Sequence, residues 1–180
     1  VSFGLPVLWL ASRRQISLSA IGFRRPSQWR LIGIVVLGTY TILLAYTSGI
    51  ELLKKLGIDP RGFEGSNNIP IDADQSTGPL IVLLLLFGLA VVIVAPLAEE
   101  LLFRALLFRA LDGVWGKWAA ITCSGVAFGV FHANLAVLIP FTLIGMLFAW
   151  SFKTSGSLWV TIIAHFIINS LSFIVTVLEV

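Results

Sequence analysis

The residues of this chain that could do chemistry are few, and they sit where polar groups are costly. Glu99 and Glu100 are adjacent carboxylates at the end of the uncharged run 75–98, and the residues after them stay apolar up to Arg104. On a helix, Glu100 and Arg104 stand one turn apart in the order that favours an ion pair. Glu99 is rotated about 100° away and has no such partner on its own helix. The chain contains two histidines, His132 one turn after Phe128 and His165 one turn before Asn169. Each of these pairs shares a helical face. Such a set could supply a general base, hydrogen-bond donors for a developing oxyanion, or the His₂Glu ligands of a zinc ion. Ionisable groups inside apolar segments are functional-site candidates by default, because their desolvation must be offset by something.

Taken singly, each group also has a structural reading. Glu-Glu-x-x-x-Arg at a helix end can be an interfacial charge cluster. His165 with Asn169 can join two helices, as polar side chains do in membranes. Phe128 reads as packing. The coincidence of a carboxylate pair, both histidines and an amide on three apolar segments is what favours function. Other enzyme signatures are missing: the chain has no H-E-x-x-H and no G-x-S-x-G. Cys123 precedes His132 by nine residues, which puts the two on roughly opposite helical faces.

The elements that must position these groups lie in lipid. Of the 180 residues, 58% are hydrophobic and 12% charged, against roughly 25% charged in an ordinary soluble domain. Mean hydropathy is +1.00, more apolar surface than a soluble globule of this size could bury. That excludes a soluble enzyme and a disordered regulator, and the lone Cys123 excludes a disulfide scaffold. The uncharged stretches are 31–50, 75–98, 118–152 and 154–178, and a bilayer crossing takes about 20 residues. Three of them fit one crossing each. The stretch 118–152, interrupted by His132-Ala133-Asn134 and Pro140, predicts two shorter helices joined near 133–136, short enough to be a re-entrant pair. Residues 1–12 read as the tail of an earlier hydrophobic helix. The expected fold is all-α, a polytopic transmembrane bundle of five to six hydrophobic helices with a polar cavity among the C-terminal ones.

Net charge is +3, but the basic residues flank hydrophobic runs, so they signal topology and not a nucleic-acid partner. Arg13, Arg14, Arg24, Arg25 and Arg30 predict a cytoplasmic 13–30 loop, and the acidic 51–74 connection an external one. Arg104, Arg109, Lys117 and Lys153 return to the cytoplasmic side. This topology raises a question of depth. A straight helix would put Glu99 at the cytoplasmic boundary, while His165 lies twelve residues beyond Lys153, about 18 Å if helical. They can meet only if the chain kinks at Pro96 or if Leu101 to Leu111 also lie in the membrane. A shift with a modest kink is expected.

The order E-E-x-x-x-R, F-x-x-x-H, H-x-x-x-N, each on its own apolar segment, resembles the CPBP family of CAAX-protease and bacteriocin-processing intramembrane proteases, related to type II CAAX prenyl endopeptidases. The likeness covers residues 79–178 and includes Gly156-Ser157-Leu158-Trp159 ahead of His165; Ala105 departs from the glycine that is common there. The resemblance implies a single membrane domain over 1–180, with N-terminal helices and loops in 1–78 and a catalytic core in 79–178. It implies an intramembrane endopeptidase in the plasma membrane of a prokaryote, acting on a peptide or protein substrate whose prenylation the motifs leave open. By the same likeness Glu99 activates water, His132 helps hold it, His165 and Asn169 face the oxyanion, and Glu100 with Arg104 holds the first-motif helix. A divalent metal such as zinc on His132, His165 and Glu99 is the rival chemistry. The rival functions are a non-proteolytic scaffold or bacteriocin-immunity protein of the same fold, and a small transporter, which would show a repeat of broken helices that this sequence lacks.

Overall fold

The computed structural model describes residues 9, 12–13, 17–63 and 77–178. The proposed helical tail at 1–12, and the acidic positions Glu64, Asp72 and Asp74 of the external loop, lie at or largely outside the described residues. Six helices make up the described part, with no strand among the described residues: α1 (Leu18–Ile21), α2 (Arg30–Lys55), α3 (residues 77–115), α4 (Lys117–Phe131), α5 (Leu135–Ser155) and α6 (Leu158–Leu178). Four of them are long and apolar enough to cross a membrane: α2, α3 over Ile81–Trp115, α5 and α6. The chain is an integral membrane helix bundle.

α3 answers the question of depth. The helix continues past the glutamates to Trp115, so Leu101 to Leu111 belong to the same 35-residue apolar element as the run before Pro96. It is not uniform. Two π-helical stretches, Leu89–Val94 and Leu101–Phe108, flank the short α-helical piece Ala95–Glu100. Each wide turn changes the hydrogen-bond register and re-aims the side chains beyond it. Leu101 to Leu111 thus continue the helix that carries Glu99, with π-turns on both sides of the Pro96 segment.

The stretch 118–152 divides where the sequence suggests, but only there. α4 ends at Phe131, His132 caps it, Ala133 adopts φ +49°, and the Asn134 side chain accepts from the Ala136 N–H to start α5. Asparagine at that position satisfies a backbone donor left over at the helix start. Pro140 does not break the chain; it lies inside α5, whose 21 residues are long enough for a full crossing. Membrane helices tolerate such a proline when neighbouring helices and local adjustments satisfy the freed backbone groups. The short α4, with 15 residues, is the one that falls below a crossing length.

α4 and α5 form the closest pair because glycines remove the side chains between them. A Cβ on Gly125 would stand 2.8 Å from the Thr142 carbonyl oxygen, and one on Gly129 2.7 Å from the Leu138 carbonyl oxygen. This is the small-x-x-x-small device of membrane helix pairs, where backbones meet at van der Waals distance. α2 packs on α5 and α6, burying Val35 with Ile144, Phe148, Ala164 and Ile168. At the other core, Ile21 of α1 joins Leu101, Phe108, Phe152, Leu158 and Ile162.

Arg24, Arg109 and Lys153 gather at the end where α5 turns into α6. Arg24 Nε donates to the Gly156 carbonyl at 2.6 Å, Arg109 donates to the Ala20 carbonyl, and Lys153 pairs with Asp112 at 2.6 Å. Gly156 takes φ +64° as the C-cap of α5, and the Arg24 guanidinium occupies the space where a side chain would be. Arg104, expected in a cytoplasmic loop, is instead fully buried within the bundle.

Candidate active site

Glu100 and Arg104 are both fully buried, and Arg104 Nε lies 3.2 Å from Glu100 Oε2. The contact is an ion pair without an aligned hydrogen bond on those atoms. Arg104 also reaches the Gly145 carbonyl of α5 at 3.4 Å, and its guanidinium carbon lies 4.9 Å from the Phe128 ring centroid and 5.2 Å from that of Phe148. A third ring, Phe103, lies 5.8 Å away, so a cation removed from water is held here by one carboxylate and three aromatic rings.

His165 comes from α6 and meets both carboxylates. Its Nδ1 is 3.1 Å from Glu100 Oε1, and its Nε2 is 3.8 Å from Glu99 Oε2. An ionised carboxylate only accepts, so Nδ1 donates to Glu100 and the other ring nitrogen is left facing Glu99. Glu100 is thus shared between Arg104 on its own helix and His165 on another. The sequence reading gave Glu100 the arginine alone and reserved the histidines for Glu99; the two carboxylates instead flank one imidazole.

The other two candidates are held by backbone carbonyls. His132 is half-buried at the end of α4, with Nδ1 2.8 Å from the Phe128 carbonyl of its own helix. A carbonyl can only accept, so Nδ1 carries the proton and a neutral ring leaves Nε2 as an acceptor. Its ring packs on Phe128 and Phe141, with centroids 4.9 and 4.5 Å away. Phe128 also touches the His165 ring at 6.2 Å, so the imidazoles share that aromatic neighbour. Asn169, one turn beyond His165, donates through Nδ2 to the Val91 carbonyl at 2.9 Å, within the first π-turn of α3. Its amide is engaged by the backbone that precedes the glutamates.

The zinc set of His132, His165 and Glu99 is not assembled in this arrangement. Among the described residues no three His, Cys, Asp or Glu side chains lie close enough together to hold a metal ion. Two contributors carried no sequence signal strong enough to single them out. Thr161 is fully buried one turn before His165, its hydroxyl donating to the Leu158 carbonyl at 3.1 Å; the i, i+4, i+8 series Thr161, His165, Asn169 could have revealed it. Phe148 is one of 13 phenylalanines in an apolar run, and nothing in its local sequence distinguishes it.

The decisive comparison is with protein families. Residues 81–171 match the family described as Type II CAAX prenyl endopeptidase Rce1-like, just over half of the 180-residue chain. The chain belongs to this family. The match contains Glu99, Glu100, Arg104, His132, His165 and Asn169. A Bacillus subtilis (strain 168) protein with the name "Putative membrane peptidase YdiL" is 37% identical over 78 residues, which are 43% of this chain and 32% of that protein. The matched part therefore spans about a third of the relative's length. No solved structure gives a significant match.

Proposed function

We propose that the chain hydrolyses peptide bonds with a water activated by Glu99. The observation that carries this reading is the buried Glu99–His165 contact: Glu99 Oε2 and His165 Nε2 are 3.8 Å apart, and that carboxylate oxygen has no hydrogen-bond partner. The separation is long for a direct hydrogen bond, while a water at the apex of a triangle reaches both atoms at ordinary distances of about 2.8 Å. Glu99 would take the proton of that water as it attacks the scissile carbonyl. His165, held through Nδ1 by Glu100 and through it by Arg104, would present Nε2 to the same water or to the oxyanion that forms. The proton collected by the Glu99–His165 pair would pass to the leaving amine, so the site ends the cycle in its starting charge state. Asn169 would hold the π-turn ahead of Glu99, and His132 would line the approach beside Phe128.

The substrate in this reading is a membrane-bound protein or peptide, in the plasma membrane of a prokaryotic cell; the Bacillus relative supports that setting. Prenylation of the substrate is a separate question, and paired substrates with and without the lipid answer it. The test of the reading is cleavage of a fluorogenic peptide by purified protein in lipid, with Glu99→Gln as the matched control. Hydrolysis by the parent and loss in a folded Glu99→Gln protein are expected. Equal cleavage by both proteins would overturn the role of Glu99.

A further inference from the structure

We infer that Phe148 is a positioning residue of the site, and that it acts by fixing the imidazole of His165. This rests on the proteolytic reading above and extends it to a residue outside the three motifs. Phe148 lies on α5 and is 2% exposed. Its ring meets the two groups that flank Glu100 from opposite sides in the chain: the Arg104 guanidinium carbon at 5.2 Å from the ring centroid, and the His165 ring at 5.4 Å with an interplanar angle of 76°.

Both contacts are of kinds that depend on the ring's charge distribution. A guanidinium over an aromatic face is attracted by its quadrupole, most strongly where water is absent. Edge-to-face pairs are likewise oriented by that quadrupole and not by apolar contact alone. An imidazole can rotate about its side-chain bonds, and one hydrogen bond to Glu100 fixes a point but not a plane. The T-shaped contact from α5 restricts the plane. With Nδ1 on Glu100, that leaves Nε2 directed at Glu99.

Phe128 makes related contacts with Arg104 and His165, but it also touches His132 at 4.9 Å. Phe148 has ring contacts with His165 and Arg104, and none with His132 among the described residues. That asymmetry makes His132 an internal control. The chain has two histidines, so the nitrogen spectrum of a histidine-labelled sample contains one candidate and one reference, and a His132→Gln sample assigns them.

The experiment compares parent, Phe148→Leu and Phe148→Tyr proteins, each labelled with 15N-histidine in lipid, by imidazole nitrogen shifts and by peptide cleavage. Phe148→Leu is expected to move the His165 signals and leave those of His132 in place. It should lower kcat about thirtyfold, the size of a desolvated aromatic–cation contact, with KM changed by less than about twofold. Phe148→Tyr keeps the ring and should return both readouts toward the parent. Should Phe148→Leu not fold, Phe148→Met, which fills similar space without an aromatic face, is measured in its place. Unmoved His165 signals in the folded variant would overturn the inference, as would equal movement of both histidines. Lost activity without a His165 change would mean packing alone and would overturn it too. A parent protein that cleaves nothing would instead refute the proteolytic reading, and the nitrogen shifts would still decide the role of Phe148.

Discussion

The two histidines sit on the same kind of apolar helix, and their surroundings could hardly differ more. His165 lies between two carboxylates from another helix, with an arginine behind one of them. His132 is held by its own helix's carbonyl and collared by phenylalanines at the turn into α5. One is charge-coupled and buried, the other neutral in its contacts and half-buried. The difference teaches that a histidine in a membrane segment is given its chemistry by the helix that crosses it. α3 brings carboxylates to α6, whereas α4 and α5 bring backbone and aromatic rings to His132.

The sharpest break in that contrast is at Glu99. If Glu99 is the base, Glu99→Gln should lower kcat by about 10²–10⁴-fold, the range for a positioned general base. Its melting temperature should stay near the parent's, since an amide costs less to bury than a carboxylate with an unpartnered oxygen. Circular dichroism alongside the cleavage assay checks both halves.

Arg104 carries the next largest effect, on stability. Removing one partner of a buried ion pair leaves the other charge uncompensated, at a cost of about 3–5 kcal/mol. Arg104→Met should therefore fold poorly, and Arg104→Met with Glu100→Gln should recover part of the loss. If thermal denaturation shows the double variant to be as weak as the single, the pair is not what stabilises the α3–α6 junction.

His132 tests the contrast from the other side. A zinc site completed by this residue would make cleavage sensitive to a chelator and would put about one metal ion in each purified molecule. The separation of His132 from Glu99 and His165 leads to the opposite expectation: chelation leaves the rate unchanged, and His132→Gln loses less activity than His165→Gln. Metal analysis of the purified protein, read with the two variants' rates, decides it.

The smallest effects lie at the edges of the two regions. Asp112→Asn removes the partly exposed pair with Lys153, and differential scanning should register at most about 1 kcal/mol. Ala133→Gly relieves a left-handed backbone that costs a residue with a Cβ about 1–2 kcal/mol, less the entropy that glycine loses on folding. A small gain in melting temperature is expected there, and a loss would show that the turn after His132 is held by its side chain.

Local periodicity was enough for much of this. The runs of apolar residues define the crossing helices, because lipid admits only segments that satisfy their own backbone. Glu100 and Arg104 are legible as a pair because one helical turn separates them, and that spacing survives even within a π-helical stretch. The break at 132–134 is legible from asparagine's capping chemistry. Glu99, His132, His165 and Asn169 all fall inside the stretch 81–171 that matches the family.

What the sequence could not decide is who faces whom across helices. His165 could have met Glu99, Glu100, both or neither, since 65 residues separate it from Glu100 and no local rule fixes the relative rotation of α3 and α6. Two π-turns set that rotation for α3, and their presence depends on neighbours: the Val91 carbonyl is taken by Asn169 from α6. Pro140 was misread as a breaker because the rule for isolated helices ignores a close partner, and glycines at 125 and 129 supply one. Phe148 gains its place only when α5 lies against both Arg104 and His165. Side-chain chemistry and helix positions are written locally, while the pairing of charges in a dry interior is settled by packing, because each buried group must find its partner on another helix or not be buried at all.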